Sequence, residues 1–169
     1  MNSTLPNIDI KPVTPPDVPA IAALARKIWQ ATYSDIITRQ QIDYMLEQRY
    51  NSARLNDDLK APDKWFDQIF ADDHRAGFAA CELCKGEYKL DKLYVHPDFQ
   101  RKGLGGALIT HAAARARKLG YPAVILAVNK HNENAIKAYQ KHGFSVRESV
   151  ETNIGQGFIM DDYIMEKRI

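Results

Sequence analysis

Gly103, Gly105 and Gly106 fall within four positions of the segment HPDFQRKGLGGALI (residues 96–109), just after Arg101 and Lys102 and just before an apolar helical run. Residues of these types in this order suit a polyanion. The first turn of a helix carries N–H groups with no intrahelical partner, and the helix dipole adds about half a positive elementary charge there. Glycines keep Cβ atoms out of the approach to those amides, and the two cations offset the charge that arrives. Close packing of a helix on a sheet is the other use of such glycines. Two familiar phosphate loops are excluded: no Gly-Lys-Ser/Thr occurs, and Leu108 stands where the third glycine of a dinucleotide fingerprint belongs.

The loop needs a strand before it and a helix after it. EYKLDKLYVH (residues 87–96) supplies the strand, and Leu104, Ala107, Leu108, His111, Ala112, Arg115 and Leu119, at helical spacing, mark an inner face of mixed quality on a helix over 103–119, ended by Gly120 and Pro122. AVILAVN (123–129) is a continuous apolar run, as in a strand buried on both faces, and a right-handed crossover makes it parallel to the first. Asn132 or Asn134 opens a further helix, ENAIKAYQKH, which Gly143 closes, and FSVRESVET with QGFIMDDYIMEKRI forms a closing hairpin.

Upstream, IDIKPV reads as a strand, Asp17 caps an amphipathic helix over 18–32, and shorter helical pieces follow from Thr38 and in NSARLNDDLK. These pieces have too few apolar residues for a buried core, and the stretch from Trp29 to Ile37 is expected to form a mobile loop on the acceptor side. KWFDQIFA, RAGFAACEL and EYKLDKLYVH then form an antiparallel meander. The order β-α-α-β-β-β-α-β-α-β-β predicts an α/β fold with a mixed sheet.

A chain of 169 residues with 45% hydrophobic and 26% charged residues fits one globular domain over 1–169. A net charge of +2 argues against nucleic acid as partner and for a small ligand. With no run of about 18 apolar residues and no basic, apolar leader, no membrane partner is expected and the location is cytoplasmic. Cys81 and Cys84 have a CxxC spacing, but no second pair completes a zinc site, so they are read as ordinary strand residues. His96, His131 and His142 lack paired metal spacing, and no metal is assigned.

LYVHPDFQRKGLGGAL resembles the strand and Q/R-x-x-G-x-G/A loop of the GNAT family of N-acetyltransferases, and VNKHNENAIKAYQKHGF resembles that family's second signature. The N-terminal IWQATYSDIITRQQIDYMLEQRYN and the ending GFIMDDYIMEKRI are similar to the PaiA-type enzymes that acetylate spermidine and spermine. The resemblance implies a six- to seven-stranded mixed sheet flanked by helices, whose central parallel strands splay to hold acetyl-CoA. It implies an acetyl-CoA-dependent N-acetyltransferase acting on a primary amine, either a small amine or polyamine or a peptide amine, with a possible homodimer.

Carried onto this sequence, the resemblance gives the backbone of Leu93, Tyr94 and Val95 to the pantetheine arm. It gives Gln100, Arg101, Lys102, Gly103, Leu104, Gly105, Gly106 and Ala107 to the pyrophosphate, Asn134 to the cofactor arm, and Tyr139 to the sulfur. The Val95 N–H is a candidate donor to the oxyanion, and the Tyr139 phenol, with an ordinary pKa of about 10, a proton source for a thiolate of about 8.5. No cysteine lies near the sulfur, so direct attack in a ternary complex is expected.

An alkylammonium with a pKa of about 10.4 must lose a proton before it attacks. Relatives often place Glu where Lys89 stands, so Asp91 and Glu87 become the candidates for that step, and Asp161, Asp162, Asp43 and Glu47 are candidates to attract the cation. Lys89 also leaves open a non-catalytic CoA-binding regulatory module as the alternative.

Overall fold

The computed structural model describes residues 5–169. Seven strands, β1 (Ile8–Pro12), β2 (Lys64–Ala71), β3 (His74–Cys84), β4 (Glu87–Val95), β5 (Ala123–Asn129), β6 (Ser145–Gly155) and β7 (Phe158–Arg168), form one sheet in the order β1-β2-β3-β4-β5-β7-β6. All neighbours are antiparallel except β4 and β5, which are parallel as expected. Each of the three hairpins turns on two residues with positive φ: Asp72 and Asp73, Lys85 and Gly86, Gln156 and Gly157. Turns of this hand match the right-handed twist of the strands they join.

Five α-helices cover the sheet: α1 (Val18–Tyr33), α2 (Arg39–Arg49), α3 (Ser52–Lys60), α4 (Leu104–Lys118) and α5 (Glu133–Lys141). On one face Leu104, Leu108, Ile109, Ala112, Ala113 and Ala116 of α4 pack on Ile69, Tyr88, Leu90, Leu126 and Met165. On the other, Ile21, Ile28, Trp29 and Tyr33 of α1 join Ile42, Met45, Leu46, Tyr50 and Leu55 over Phe66 and Phe78.

This second core corrects two expectations. The α2–α3 region does bury a core, because each short helix contributes a narrow stripe and aromatic rings fill the space between them. Trp29 packs at a tilt against Tyr33 with ring centroids 4.4 Å apart and edge-on to Tyr50 at 6.0 Å. The segment from Trp29 is therefore not a loop: α1 runs on to Tyr33, Trp29 is 1% exposed, and only residues 34–38 link α1 to α2.

Asp17 also departs from its expected role. Its Oδ2 accepts from the Thr14 N–H at 2.9 Å and the Thr14 hydroxyl at 2.7 Å, and its Oδ1 meets Arg75 at 3.1 Å, so it braces the turn before α1 rather than capping the helix amides. The true N-caps are Thr38, which accepts from Gln41 N–H, and Asn51, which accepts from Arg54 N–H.

Two irregularities in β4 shape the centre of the sheet. Ala80 pairs with Lys92 and Cys81 with Leu90, leaving Asp91 as the extra residue of a β-bulge. Tyr88 and Leu90 face α4, but after the bulge Leu93 and Val95 take that face, while Lys92 and Tyr94 turn toward α1–α3. The second irregularity is that β4 and β5 pair only at Tyr88↔Val124 and Lys89↔Ile125. Beyond the bulge the strands part, while β5 stays paired with β7 out to Asn129↔Asp162. Ala127 is exposed in this gap, so β5 is not buried on both faces along its whole length.

Gly77, opposite Val95, holds the end of β4 close to β3. A Cβ there would lie 2.4 Å from the Tyr94 carbonyl oxygen and 3.2 Å from Val95 Cα, both backbone atoms that cannot rotate away. Gly77→Ala is expected to cost about 1–3 kcal/mol, an overpacking penalty, read as a lower thermal midpoint. An unchanged midpoint would contradict this close approach.

Candidate active site

The loop after β4 is built from short local bonds. His96 Nδ1 accepts from the Asp98 N–H at 3.1 Å across a 3₁₀ turn (Pro97–Phe99), and Gln100 Nε2 donates to the Val95 carbonyl at 3.1 Å. Arg101 and Gly103 adopt positive φ, 63° and 84°, and turn the chain into α4. Ala107 is the first residue whose N–H closes the helical ladder, onto Gly103 O at 3.0 Å; the amides from Arg101 to Gly106 have no backbone acceptor.

The three glycines divide between the two uses open to them. Added Cβ atoms at Gly103 and Gly105 would meet nothing within 4 Å, whereas one at Gly106 would come within 2.7 Å of the His142 ring. Gly103 and Gly105 border open space beside free amides, and Gly106 lets α4 approach the end of α5. Leu104 is 1% exposed, so only its backbone can reach a ligand, while Arg101 and Lys102 are exposed, with the Lys102 ammonium over the Phe99 ring at 5.6 Å.

The gap between β4 and β5 leads into this loop. His96 N–H bonds Ala76 O on β3, and the Tyr94 carbonyl lies against Gly77, so the main-chain groups of Tyr94 point to β3. By the alternation of an antiparallel ladder, those of Leu93 and Val95 point into the gap. Tyr94 instead offers its side chain on the α1–α3 face, where its hydroxyl lies 3.5 Å from that of Tyr33.

Around the open end stand groups from five elements: Tyr33 of α1, Arg49 of α2, Tyr94 of β4, Asp162 of β7, and α5. Asn132 caps α5, accepting from Ala135 N–H at 3.3 Å, which leaves the exposed Asn134 side chain unengaged in the first turn. Tyr139 packs edge-on to Phe144 at 5.7 Å. Burial, and then the neighbouring Tyr33, push the Tyr139 phenol above its ordinary pKa, so it is protonated throughout the neutral range. Burial raises Tyr33 as well, and Tyr94, Asp162, Arg49 and Asn132 all act on it. Tyr33 carried no motif in the sequence; its one signal was the i, i+4 spacing from Trp29 on the buried stripe of α1.

The two carboxylates considered for proton removal are placed for other tasks. Glu87 starts β4 at its paired end, away from the gap, and forms a two-pronged ion pair with Arg147 at 2.7 and 3.2 Å. Asp91 accepts two bonds from Arg49 at 2.9 and 3.0 Å and one from Lys92 at 2.7 Å, with Lys89 at 3.7 Å. Burial alone would raise the Asp91 carboxyl, but Lys92 and Arg49 override it and hold it well below the usual carboxylate range. Both carboxylates are engaged in ion pairs, and one neutralised by three cations, as Asp91 is, has little affinity for another proton.

Asp43 and Glu47 lie on the exposed side of α2, Asp43 facing Arg26 at 3.8 Å. Asp161 and Asp162 lie closer to the opening. A groove of about 470 Å³, lined by Asp35, Ile37, Gln41, Asn129, His131 and Asp161 among others, runs between the α1–α2 link and the ends of β5 and β7. Asp161 is paired with Lys130 at 2.5 Å. Cys81 is buried and Cys84 half-buried, both free, and burial pushes the Cys81 thiol up to about 11, too high for a nucleophile. Among the described residues no group of three His, Cys, Asp or Glu is arranged to hold a metal ion, and no helix is long and apolar enough to cross a membrane.

The chain is 25% identical over 166 residues to a spermidine N(1)-acetyltransferase of Thermoplasma acidophilum, covering 96% of this chain and 98% of that protein. Its fold matches the crystal structure of a PaiA N-acetyltransferase from the same organism in complex with coenzyme A, with a TM-score of 0.85 and 26% identity over 96% of this chain and 99% of the other. It also matches a GCN5-related N-acetyltransferase from Rhodopseudomonas palustris, with a TM-score of 0.82 and 21% identity over 100% and 99% of the two chains, a likeness of fold. Residues 21–144 fit the sequence profile of the acetyltransferase (GNAT) family, and the chain belongs to that family.

Proposed function

We propose that this chain, as one domain, moves an acetyl group from acetyl-CoA to a primary amine by direct attack within a ternary complex. The observation that carries the reading is the continuity of the β4–β5 gap with the unbonded amides of residues 101–106. A pyrophosphate on those amides, with Arg101 and Lys102 beside it, leaves an amide-bearing arm lying along Leu93 and Val95 as an added strand. Asn134 stands at the side of that arm, and Gln100 fixes the loop through Val95 O. The Val95 N–H donates to the carbonyl oxygen as negative charge develops on it, and Tyr139 supplies a proton to the leaving sulfur.

The acceptor enters from the opposite side, along the groove that holds Asp35 and Asp161. The Asp35 carboxylate there favours a cationic amine, and the spermidine-acetylating relative supports the same class.

Gly105→Val tests the loop. Space is open at this position, so the fold tolerates the side chain and the thermal midpoint moves by only a few degrees. The same side chain stands where the pyrophosphate must lie, and the dissociation constant for CoA by calorimetry should rise about tenfold or more. Unchanged affinity would remove the loop from the binding site.

A further inference from the structure

Resting on the acetyl-transfer reading, we propose that Asp162 is the group that takes the proton from the acceptor's ammonium. On β7, Tyr163 and Met165 face the α4 core and Met160 packs on the α1–α3 core, so the alternation of the strand puts Asp162 on the acceptor face. Its register partner is Asn129, the last residue of β5, at the far end of the gap from the β4–β5 pairing. The same Asn129, with Asp161, lines the groove. Asp162 thus lies where the groove meets the gap, on the face where Ala127 leaves the floor open.

Its bonding state differs from that of every other carboxylate weighed for this step. Asp91 has three cations, Glu87 has Arg147, and Asp161 has Lys130, whereas Asp162 has no cation within ion-pair distance among the described residues; Oδ1 of Asp162, like that of Asp161, is sealed from solvent with no hydrogen-bond partner. A buried carboxylate oxygen without a donor is a place for an N–H. The charged and titratable groups facing it are Asp161 on its own strand, Lys89 of β4, Arg49 of α2, Lys130 after β5 and Tyr33 of α1. Burial, then Asp161, raise the Asp162 carboxyl, and Lys89, Arg49 and Lys130 pull it back in part, so it binds a proton more readily than a free aspartate.

The proton balance is complete without a further reagent. The ammonium gives one proton to Asp162, and the freed lone pair forms the C–N bond to the acetyl carbon. The C–S bond breaks, the thiolate takes the phenolic proton of Tyr139, and the second proton of the attacking nitrogen returns to the phenolate. Asp162 then releases its proton to solvent.

The test compares wild type and Asp162→Asn with an alkylamine and with methoxyamine, which is already uncharged at neutral pH. For the alkylamine, kcat/KM should fall about a hundredfold or more, and what remains should climb with pH toward the amine's own pKa of about 10.4. For methoxyamine the two proteins should differ by less than about tenfold, and Asp162→Glu should recover part of the alkylamine rate. Full alkylamine activity in Asp162→Asn would overturn the proposal. So would equal loss with both amines while CoA affinity is unchanged, or no rescue in a folded Asp162→Glu. Wild type inactive with every amine would instead overturn the acetyl-transfer reading beneath it.

Discussion

Replacing Asp91 with alanine is expected to destabilise the protein by about 3–5 kcal/mol, because it removes the one anion from between Arg49, Lys92 and Lys89. Lys92 has a side chain 5% exposed and no other acidic partner within ion-pair distance, so its charge would remain in the interior uncompensated. For a domain of this size the thermal midpoint falls by on the order of 10 °C. The same carboxyl sets an acid-dependent contribution. Its folded pKa lies below the unfolded value of about 3.9, so its stabilisation is complete above that value and is lost as pH falls through it toward the folded pKa. Wild-type stability should therefore drop steeply below about pH 4, and that of the variant less so. A loss under about 1 kcal/mol, with parallel acid limbs, would show that the bulge does not depend on this clamp.

Tyr139→Phe is expected to lower kcat by about 10²–10⁴-fold while CoA affinity stays near wild type, because the ring keeps its packing on Phe144 and only the proton is lost. Since burial raises the phenol above about pH 10, its ionisation does not produce an alkaline fall in kcat within the neutral range. An unchanged kcat at saturating substrates would assign the proton on sulfur to another source.

Much of this arrangement was readable from residue types. The loop, its strand, the crossover helix and the hairpins have strong local signals: glycines at positive φ, two-residue turns, and helical stripes that end at Gly120 and Gly143. The Asp91 bulge had no such signal. Strict alternation from Tyr88 and Leu90 would have turned Lys92 and Tyr94 toward α4, but one extra residue reverses every side chain after it. That reversal puts Lys92 on Tyr50 and brings Tyr94 to Tyr33, neither of which follows from local sequence. The buried core over α2 and α3 was hidden for a related reason. Its apolar density comes from rings on separate helices that meet only in three dimensions. Asp162 showed in the sequence only as one of two adjacent acids, since the partner that distinguishes Asp161 from it, Lys130, comes from the end of another strand.

If the gap and the loop serve acetyl transfer to an amine, the initial rate of CoA thiol release from acetyl-CoA across a panel of alkylamines that includes spermidine will show it. Release is expected to depend on the amine, to saturate in both substrates, and to match the N-acetylated product by mass spectrometry. Tight CoA binding by calorimetry, with no amine-dependent release from any acceptor, would contradict it and leave a CoA-binding regulatory module in its place.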